Sequence, residues 1–521
     1  MKIERELKVV AETGTQLPDL SAAVEGLVVG ETEQLNLSAT YYDTPDHSLL
    51  SGGLTLRSRS GEPGPTWTLK LPAGGEEGAL HRHEVNFDGD LGVVPAAALE
   101  AVTAYVRRAK LATVADIHTS RAATSLRIGD AIVATICDDH VEGRYGGDGV
   151  SKFREVEVEL ITPIPGVDLL KIVRTRLREA GWKIEVTPLP KLTRVLGDTI
   201  GEDPLVHLPK ISRKSSLKDA VRAVIVKSVR ELITFDPGTR LDLDIEDLHQ
   251  FRVAARRLRS DLRTFRGVLD RSWVNGIRTE LSWLGECVGS VRDLDVLTER
   301  FTKAVHLLDD SDSADAAPLL SALGEQRAAL RSEMLAALNS PRYLDLLETL
   351  VEAAHRPHFA HPTETNEEHD HDAQEGSRVE RLACLTLPGL VRKTWKQLKG
   401  AADELGPNSP DEDLHDVRIL AKRCRYATEA AVPVCGRPAR RFAAAIKELQ
   451  GLLGDHQDTV VAEAWLRDTA RSTPTIGVLA GLLIAAERDK RLVLRTSLEE
   501  VWKQTSHDSL RPWLKRGPRR E

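Results

Sequence analysis

Through about residue 160, apolar and charged positions alternate with a period of two. Beyond about residue 215 they recur every three or four, so a sheet followed by helices is predicted. In residues 3–9 the charges of Glu4, Glu6 and Lys8 fall at every second position, which on a strand puts two carboxylates and an ammonium on one surface. Residues 54–60 place Arg57 and Arg59 two apart, residues 67–71 carry Lys70, and residues 81–85 carry Arg82 and Glu84. Residues 154–160 alternate Glu155, Glu157 and Glu159 with valines. A turn is predicted at residues 41–46, because an Asp side chain bonds its own backbone two residues on and Pro45 fixes φ. A helical stretch is expected near residues 96–108, followed by Arg121 and a strand-like run at 131–138.

One strand with charges on alternate positions reads as a solvated face. At least four such strands, together bearing same-face charges of both signs, call for another explanation. An antiparallel sheet commonly keeps one face apolar and one wet. If it closes, the wet face becomes a lumen. A small barrel with Arg and Lys on one side of its interior and Glu on the other would bind a polyanion together with divalent cations. Hard cations such as Mg²⁺ take carboxylate oxygens and complete their shell with phosphates, and a Lys supplies a point charge for what remains.

The stretch from Gly201 to Lys214 is loop-like, with Pro204 and Pro209, and a boundary is placed there, between a first domain at 1–205 and a second at 215–515. Residues 1–205 carry 22 Lys and Arg against 31 Asp and Glu, whereas 206–521 carry 49 against 48. On a helix at about 100° per residue, His249, Arg252, Arg256, Arg259, Arg263 and Arg266 share one arc, opposite Phe251, Ala254, Ala255, Leu258, Leu262 and Phe265. The stripe contains no acid, so its like charges imply an anionic partner. The spacing returns in His415, Arg418, Lys422 and Arg425, and Arg257 matches Arg423. Leu284, Gly289 and Asp293 match Leu449, Gly454 and Asp458 at an offset of 165, and the histidines match at 166, which marks an internal duplication. Each half is expected to form a bundle of about four helices, at 215–350 and 378–515. Between them lies an insertion, residues 355–377, whose His355, His358, His361, His369 and His371 stand among acids; a solvated spacer or a transition-metal chelator would both fit. Residues 511–520 read as a basic tail.

A net charge of −8 with 29% charged and 41% hydrophobic residues describes a soluble globular protein. The longest apolar run, 476–486, is interrupted by Gly477 and Gly481 and falls short of the roughly 20 residues of a bilayer span, so a core helix in a cytoplasmic protein is expected, with no membrane partner. Five cysteines without a CxxC pair suggest neither a zinc site nor a disulfide framework. The basic helices lack interleaved aromatics, and with an acidic total this argues against nucleic acid.

The ExExK of Glu4, Glu6 and Lys8, the YYDTP of residues 41–45, the LRxR of 56–59, the Lys70 strand, the glutamates of 155–159 and the PKLTR at Lys191 together resemble the CYTH domain, also called the triphosphate tunnel metalloenzymes. The resemblance implies an eight-stranded antiparallel tunnel that hydrolyses or cyclises a triphosphate with Mg²⁺ or Mn²⁺. By the same resemblance Glu4, Glu6, Glu157 and Glu159 would ligate metal, and Lys8, Arg57, Arg59, Lys70, Arg82, Arg121 and Lys191 would cradle phosphate. Asp138 would stand in the tunnel near the metal or the attacking water, acting with Glu4, Glu6 and Lys8 in catalysis. Glu155 shares the parity of Glu157 and Glu159, so the glutamate assignment could slip by two. Pro190 replaces the serine of the family's Ser-Lys pair.

The duplicated basic helices resemble the CHAD domain. That likeness implies two pseudo-symmetric helical bundles whose groove binds inorganic polyphosphate through His249, Arg252, Arg256, Arg257, Arg259, His415, Arg418, Lys422, Arg423 and Arg425. The expected fold is therefore α+β, a β tunnel followed by an all-α duplicated region. The expected function is a metal-dependent triphosphatase with a polyphosphate-binding domain. The alternatives are a non-catalytic polyphosphate scaffold, or an adenylate cyclase or thiamine-triphosphatase working in the same tunnel.

Overall fold

The computed structural model describes residues 2–11, 15–21, 23–72, 80–147, 149–182, 189–197, 205, 208–308, 316–360 and 380–515. Contacts divide the chain into two units, Met1–Val206 and His207–Glu521.

In the first unit eight antiparallel strands form a closed barrel. They are β1 Lys2–Ala11, β2 Leu27–Asp43, β3 Thr55–Ser60, β4 Trp67–Pro72, β5 Leu80–Phe87, β6 Ala112–Ile128, β7 Ala131–Tyr145 and β8 Gly149–Leu160, in the order β1-β5-β4-β3-β2-β6-β7-β8. Five helices accompany them: α1 Ser48–Ser51, α2 Ala96–Ala101, α3 Thr103–Val106, α4 Leu169–Glu179 and α5 Lys191–Leu196. The helical stretch expected near 96–108 is thus two short pieces ending at Arg107, whose φ of 52° cannot continue a right-handed helix. The turn after β2 is built on Asp43, whose buried carboxylate accepts from the backbone N–H of Thr44, Leu49 and Leu50 at 2.7, 2.9 and 3.0 Å.

Alternation sorts each strand's side chains between two surfaces. Outside, Leu7, Val9, Ile136, Val156 and Val158 form a core with Leu169, Leu170, Val173 and Leu177 of α4. Inside, Leu192, Val195 and Leu196 of α5 pack on Ala39, Tyr41, Ala115, Ile117 and Val141 of β2, β6 and β7. The residues named PKLTR in the sequence are therefore a plug lying against the inner wall. Gly143 makes room for it, since a Cβ there would come within 2.3 Å of Val195 Cγ2.

The second unit is helical: α6 Leu217–Leu241, α7 Ile245–Thr264, α8 Arg271–Val305, α9 Ala316–Leu338, α10 Pro341–His355, α11 Ala383–Asp403, α12 Asp411–Cys435, α13 Arg437–Ser472, α14 Gly477–Thr505 and α15 Pro512–Lys515. A capping box of Ser216 and Asp219 starts α6. The two halves do not keep separate cores. Leu294, Leu297 and Phe301 of α8 and Leu319 and Leu323 of α9 pack with Ala462 and Leu466 of α13 and Leu479, Ala480 and Leu483 of α14.

Two sequence expectations change. The apolar run 476–486 is the start of an amphipathic helix, with Leu479 and Leu483 buried but Val478 73% exposed. Residues 511–515 are no tail: Arg511 is buried, its guanidinium 4.4 Å from the Trp395 ring centroid and bonded to Asp508, an arrangement in which stacking and a charge-assisted hydrogen bond replace water. His358 stacks on Trp273 at 5.1 Å, while His361, His369 and His371 lie outside the described residues.

The fit of α5 against Gly143 yields a first prediction. Gly143→Val overpacks the plug at a cost of about 1–3 kcal/mol. Hydrogen exchange of residues 189–197 in the full chain should then quicken selectively, with the strands still protected.

Candidate active-site tunnel and anion groove

The barrel encloses a cavity of about 240 Å³. Arg57 and Arg59 of β3, Lys70 of β4 and Arg82 and Glu84 of β5 line one side; Lys8 of β1, Arg121 of β6, Glu157 and Glu159 of β8 and Lys191 of α5 line the other. The registers explain the grouping. Lys8 stands opposite Glu157 and Glu6 opposite Glu159 on adjacent strands, and Thr55 of β3 opposite Lys70 of β4. Glu4 stands opposite Arg82, and its side chain lies outside the described residues.

Ion pairs fill the acidic side. Lys8 Nζ is 2.6 Å from Glu157 and 3.3 Å from Glu6. Lys191 Nζ is 2.5 Å from Glu155, 2.6 Å from Glu157 and 2.9 Å from Asp139. Arg121 donates to both oxygens of Asp139 at 2.7 Å and to Glu157 at 3.0 Å. Burial alone would raise the Glu157 pKa, but Lys191, Lys8 and Arg121 pull it well below the ordinary carboxylate value. Burial likewise works against the charge on Lys191, and Glu157, Glu155 and Asp139 outweigh it, lifting its pKa well above that of a free lysine. At Glu155 burial wins and the carboxyl is pushed up.

Asp138 is not in this cluster. Its carboxylate takes a bidentate bond from Arg154 at 2.8 and 2.7 Å, and Arg154 also donates to the Thr15 carbonyl at 2.7 Å, on the outer surface. The tunnel carboxylate is its neighbour Asp139, fully buried. Strand parity decides between them, and residues 131–137 are apolar on both faces, so no period was there to read. Three further lining residues carry no site role in the sequence reading: Glu62 is not singled out, Tyr41 reads as part of a turn, and Glu84 only as a same-face charge beside Arg82. Tyr41 accepts from Arg57 Nη1 at 3.3 Å, Glu62 pairs with Arg59, and Glu84 lies 3.5 Å from Lys70.

Oxygens of Asp139, Glu155 and Glu157 all lie within 4.8 Å of one another. An all-carboxylate set suits a hard divalent cation, so the residues fit the metal that a triphosphate tunnel implies.

In the second unit the two stripes meet where α7 packs on α12. Arg252 Nη1 donates to Asp293 at 2.7 Å, and the guanidinium lies over Gly289, where a Cβ would be 3.5 Å from Nη2; Arg418 lies likewise over Gly454, its Nε at 3.8 Å. The duplicated glycines are thus the floor on which each arginine rests. His249 feels Arg292, Arg256 and Arg252, and in the second half His415 Nδ1 bonds Gln457 at 2.9 Å. The Nε atoms of Arg256, Arg292 and Arg418 are shielded from solvent and have no acceptor among the described residues. Burial, then Arg418, Arg256 and Arg252, push Lys422 down to about 6. Arg259 bonds Ser282 and Arg423 bonds Gln397. Arg257 and Arg425 point elsewhere, to Glu429 at 2.6 and 3.5 Å, with Arg425 over the Tyr426 ring.

Residues 2–181 match the CYTH domain family and residues 223–467 the CHAD domain family. Over 531 aligned residues the chain is 32% identical to the uncharacterized protein Rv2226 of Mycobacterium tuberculosis, covering 96% of this chain and 95% of that one. The chain belongs to the CYTH–CHAD family. Among solved structures, PptA from Streptomyces chartreusis is 22% identical with a TM-score of 0.44, covering 56% of this chain and 100% of its own. The CHAD domain from the plant Ricinus communis is 24% identical with a TM-score of 0.42, covering 60% and 96%. No helix among the described residues is long and apolar enough to cross a membrane.

The ion cluster gives this CYTH–CHAD protein a stability window. Glu157, depressed in the fold, contributes stability above its unfolded value of 4.5 and loses it as pH falls through its lower folded value; Lys191, raised, contributes below 10.5 and loses it as pH rises above. Hydrogen exchange at α5 should therefore be slowest relative to the intrinsic rate between about pH 5 and 10, and should accelerate beyond either edge. A flat profile would contradict the cluster's role in holding the plug.

Proposed function

We propose that the tunnel is a divalent-metal-dependent triphosphatase site acting on inorganic triphosphate, and that the helical unit binds inorganic polyphosphate. The observation that carries the first half is the division of one cavity into a guanidinium-rich side and a carboxylate-rich side. Arg57, Arg59, Arg82 and Arg121 would hold the phosphate oxygens, with Lys8 and Lys70 as point charges. Asp139, Glu155 and Glu157, with Glu159 and Glu6 on the adjoining strand positions, would hold Mg²⁺ or Mn²⁺, which supplies charge neutralisation at the phosphate oxygens when bound. Phosphoryl transfer rests on positioning and charge, so water is the nucleophile and no nucleophilic side chain is needed. Tyr41 is the one aromatic residue among the cavity's described lining, and its hydroxyl is taken by Arg57; nothing there stacks a nucleobase, which favours the inorganic substrate over ATP.

Phosphate release from tripolyphosphate, ATP, thiamine triphosphate and long-chain polyphosphate, with and without Mg²⁺ and Mn²⁺, tests the reading. Metal-dependent release, fastest from tripolyphosphate, is the expected result, and inertness towards all four would sink it. Arg57→Ala should lower turnover by about 10²–10³, the usual loss when one donor to a developing charge is removed. Glu159→Gln should shift the metal requirement to higher concentration.

For the groove, the carrying observation is that the Nε atoms of arginines from both halves are buried without acceptors. Because Lys422 sits near 6, a bound polyanion would draw a proton onto it, so affinity should rise as pH falls from 8 to 6 and should drop steeply with salt. Titrations with long-chain polyphosphate at several pH values check this; in Lys422→Arg the pH dependence should flatten.

A further inference from the structure

The duplication makes a comparison available within one molecule. Where α7 crosses α12 there are two pseudo-equivalent contacts. At one, Arg257 of α7 donates to Glu429 of α12 at 2.6 Å. The offset of 166 residues that relates the stripes turns Arg257 into Arg423 and Arg263 into Glu429, so the mirror of this ion pair is Arg423 facing Arg263. At the second contact the acid is thus replaced by a base. The neighbouring helix adds another: Arg278 of α8 corresponds, at the offset of 165, to Ala443 of α13.

Among the described residues no carboxylate lies within ion-pairing distance of Arg263, Arg278 or Arg423. Arg423 Nη2 has only the neutral Gln397 Oε1, at 3.3 Å, and Arg278 Nε is shielded from solvent without an acceptor. Burial, then Arg263 and Arg278, lower the pKa of Arg423, and burial, then Arg263, Arg259 and Arg266, lower that of Arg278. The same helix pair forms an attraction at one contact and a repulsion at the other. Arg263 and its neighbours Arg259 and Arg266 are exposed, so the corner is open to a ligand.

We propose that Arg263, Arg278 and Arg423 form a phosphate-binding site that makes the groove polar, with its strongest end on the first half; the polyphosphate reading of the groove enters only for the source of the phosphate. Three forked guanidinium groups near enough to act on one another's charge, with no acid in ion-pairing distance among the described residues, match a tetrahedral oxyanion, which accepts paired N–H bonds from several directions. A chain phosphate reaching the corner from the groove and a free orthophosphate share that chemistry.

The test uses the full chain in EDTA at low salt. Equilibrium dialysis counts bound orthophosphate, and a separate titration gives the affinity for long-chain polyphosphate, for wild type, Arg263→Glu and Arg278→Gln. Arg263→Glu recreates on this side the pair that Arg257 makes with Glu429. It should bind one orthophosphate fewer or lose tenfold or more in polyphosphate affinity, and should melt at a higher temperature than wild type in phosphate-free buffer. Loss in the orthophosphate arm alone identifies a free-anion site; loss in the polyphosphate arm identifies the end of the groove. If wild type binds no polyphosphate, the groove reading fails while the orthophosphate count still decides this site. Both variants matching wild type in both arms, or a lowered melting temperature of Arg263→Glu without phosphate, would overturn the proposal.

Discussion

A buried charge must meet an opposite charge or leave the fold, and the tunnel is arranged around that constraint. Asp139 and Glu155 are fully buried and Glu157 nearly so, on two adjacent strands whose outer faces are packed with apolar side chains. Their cost is offset by Lys8 from β1, Arg121 from β6 and Lys191 from the plug. Lys191 binds three carboxylates at once and so ties α5 to β7 and β8, while Val195 beneath it needs the space left by Gly143. Chemistry and architecture are not separable here: the helix packed on the inner wall also supplies a cation of the site. A divalent ion entering the same oxygens would compete with Lys191, and the freed ammonium would be available to phosphate.

The fold was legible because its two periods are clean. Glu6 and Lys8 alternate with Leu7 and Val9, and Glu157 and Glu159 with Val156 and Val158, so the sequence itself separates lumen from outer core. The stripes on α7 and α12 are equally plain, because a helix face without acids stands out against the mixed surfaces around it. Legibility ended where the pattern did. Residues 131–137 have no alternation, and the parity of Asp138 and Asp139 depends on the register that sets Asp139 opposite Arg121 and Glu155, a fact about neighbouring strands. Arg278 and Arg292 were invisible for a similar reason: each is a single basic residue on a mixed helix, and only packing against α7 brings it to the groove. Arg257 and Arg425 fit the spacing yet turn to Glu429, since a helix stripe fixes direction but not partner.

The duplicated region shows how a repeat diverges. Positions that serve packing stay matched: Gly289 and Gly454 floor the two arginines, and Leu284 and Leu449 are both buried. On the anion side the histidines and Arg252 with Arg418 also match, but three positions do not. Arg292 becomes Gln457 beside the paired histidine, Arg263 becomes Glu429 and Arg278 becomes Ala443. A Cβ at a floor glycine would just touch its arginine, so only a side chain larger than alanine would lift the arginine out of its seat, whereas a change on the open side alters charge without disturbing helices. Two halves that share a core can therefore keep one architecture and carry unequal charge.

On the proposed function, the two units would hold a polyphosphate-like anion in opposite ways. In the tunnel nearly every cation named already has a carboxylate partner, so an incoming anion gains little unless a second positive charge enters to occupy the acids. The proposed metal dependence would follow from that balance. In the groove arginines from both halves retain buried N–H groups without acceptors, and burial together with neighbouring cations has driven Lys422 down to about 6. An anion there relieves repulsion that the empty groove endures, and it needs no metal to do so. Association with such a surface is governed by screening and by protons. On the same proposal the tunnel would be governed by the exchange of one cation for another. One anion site would then be switched by divalent metal and the other set by salt and pH, and each can be tested under conditions that leave the other unchanged.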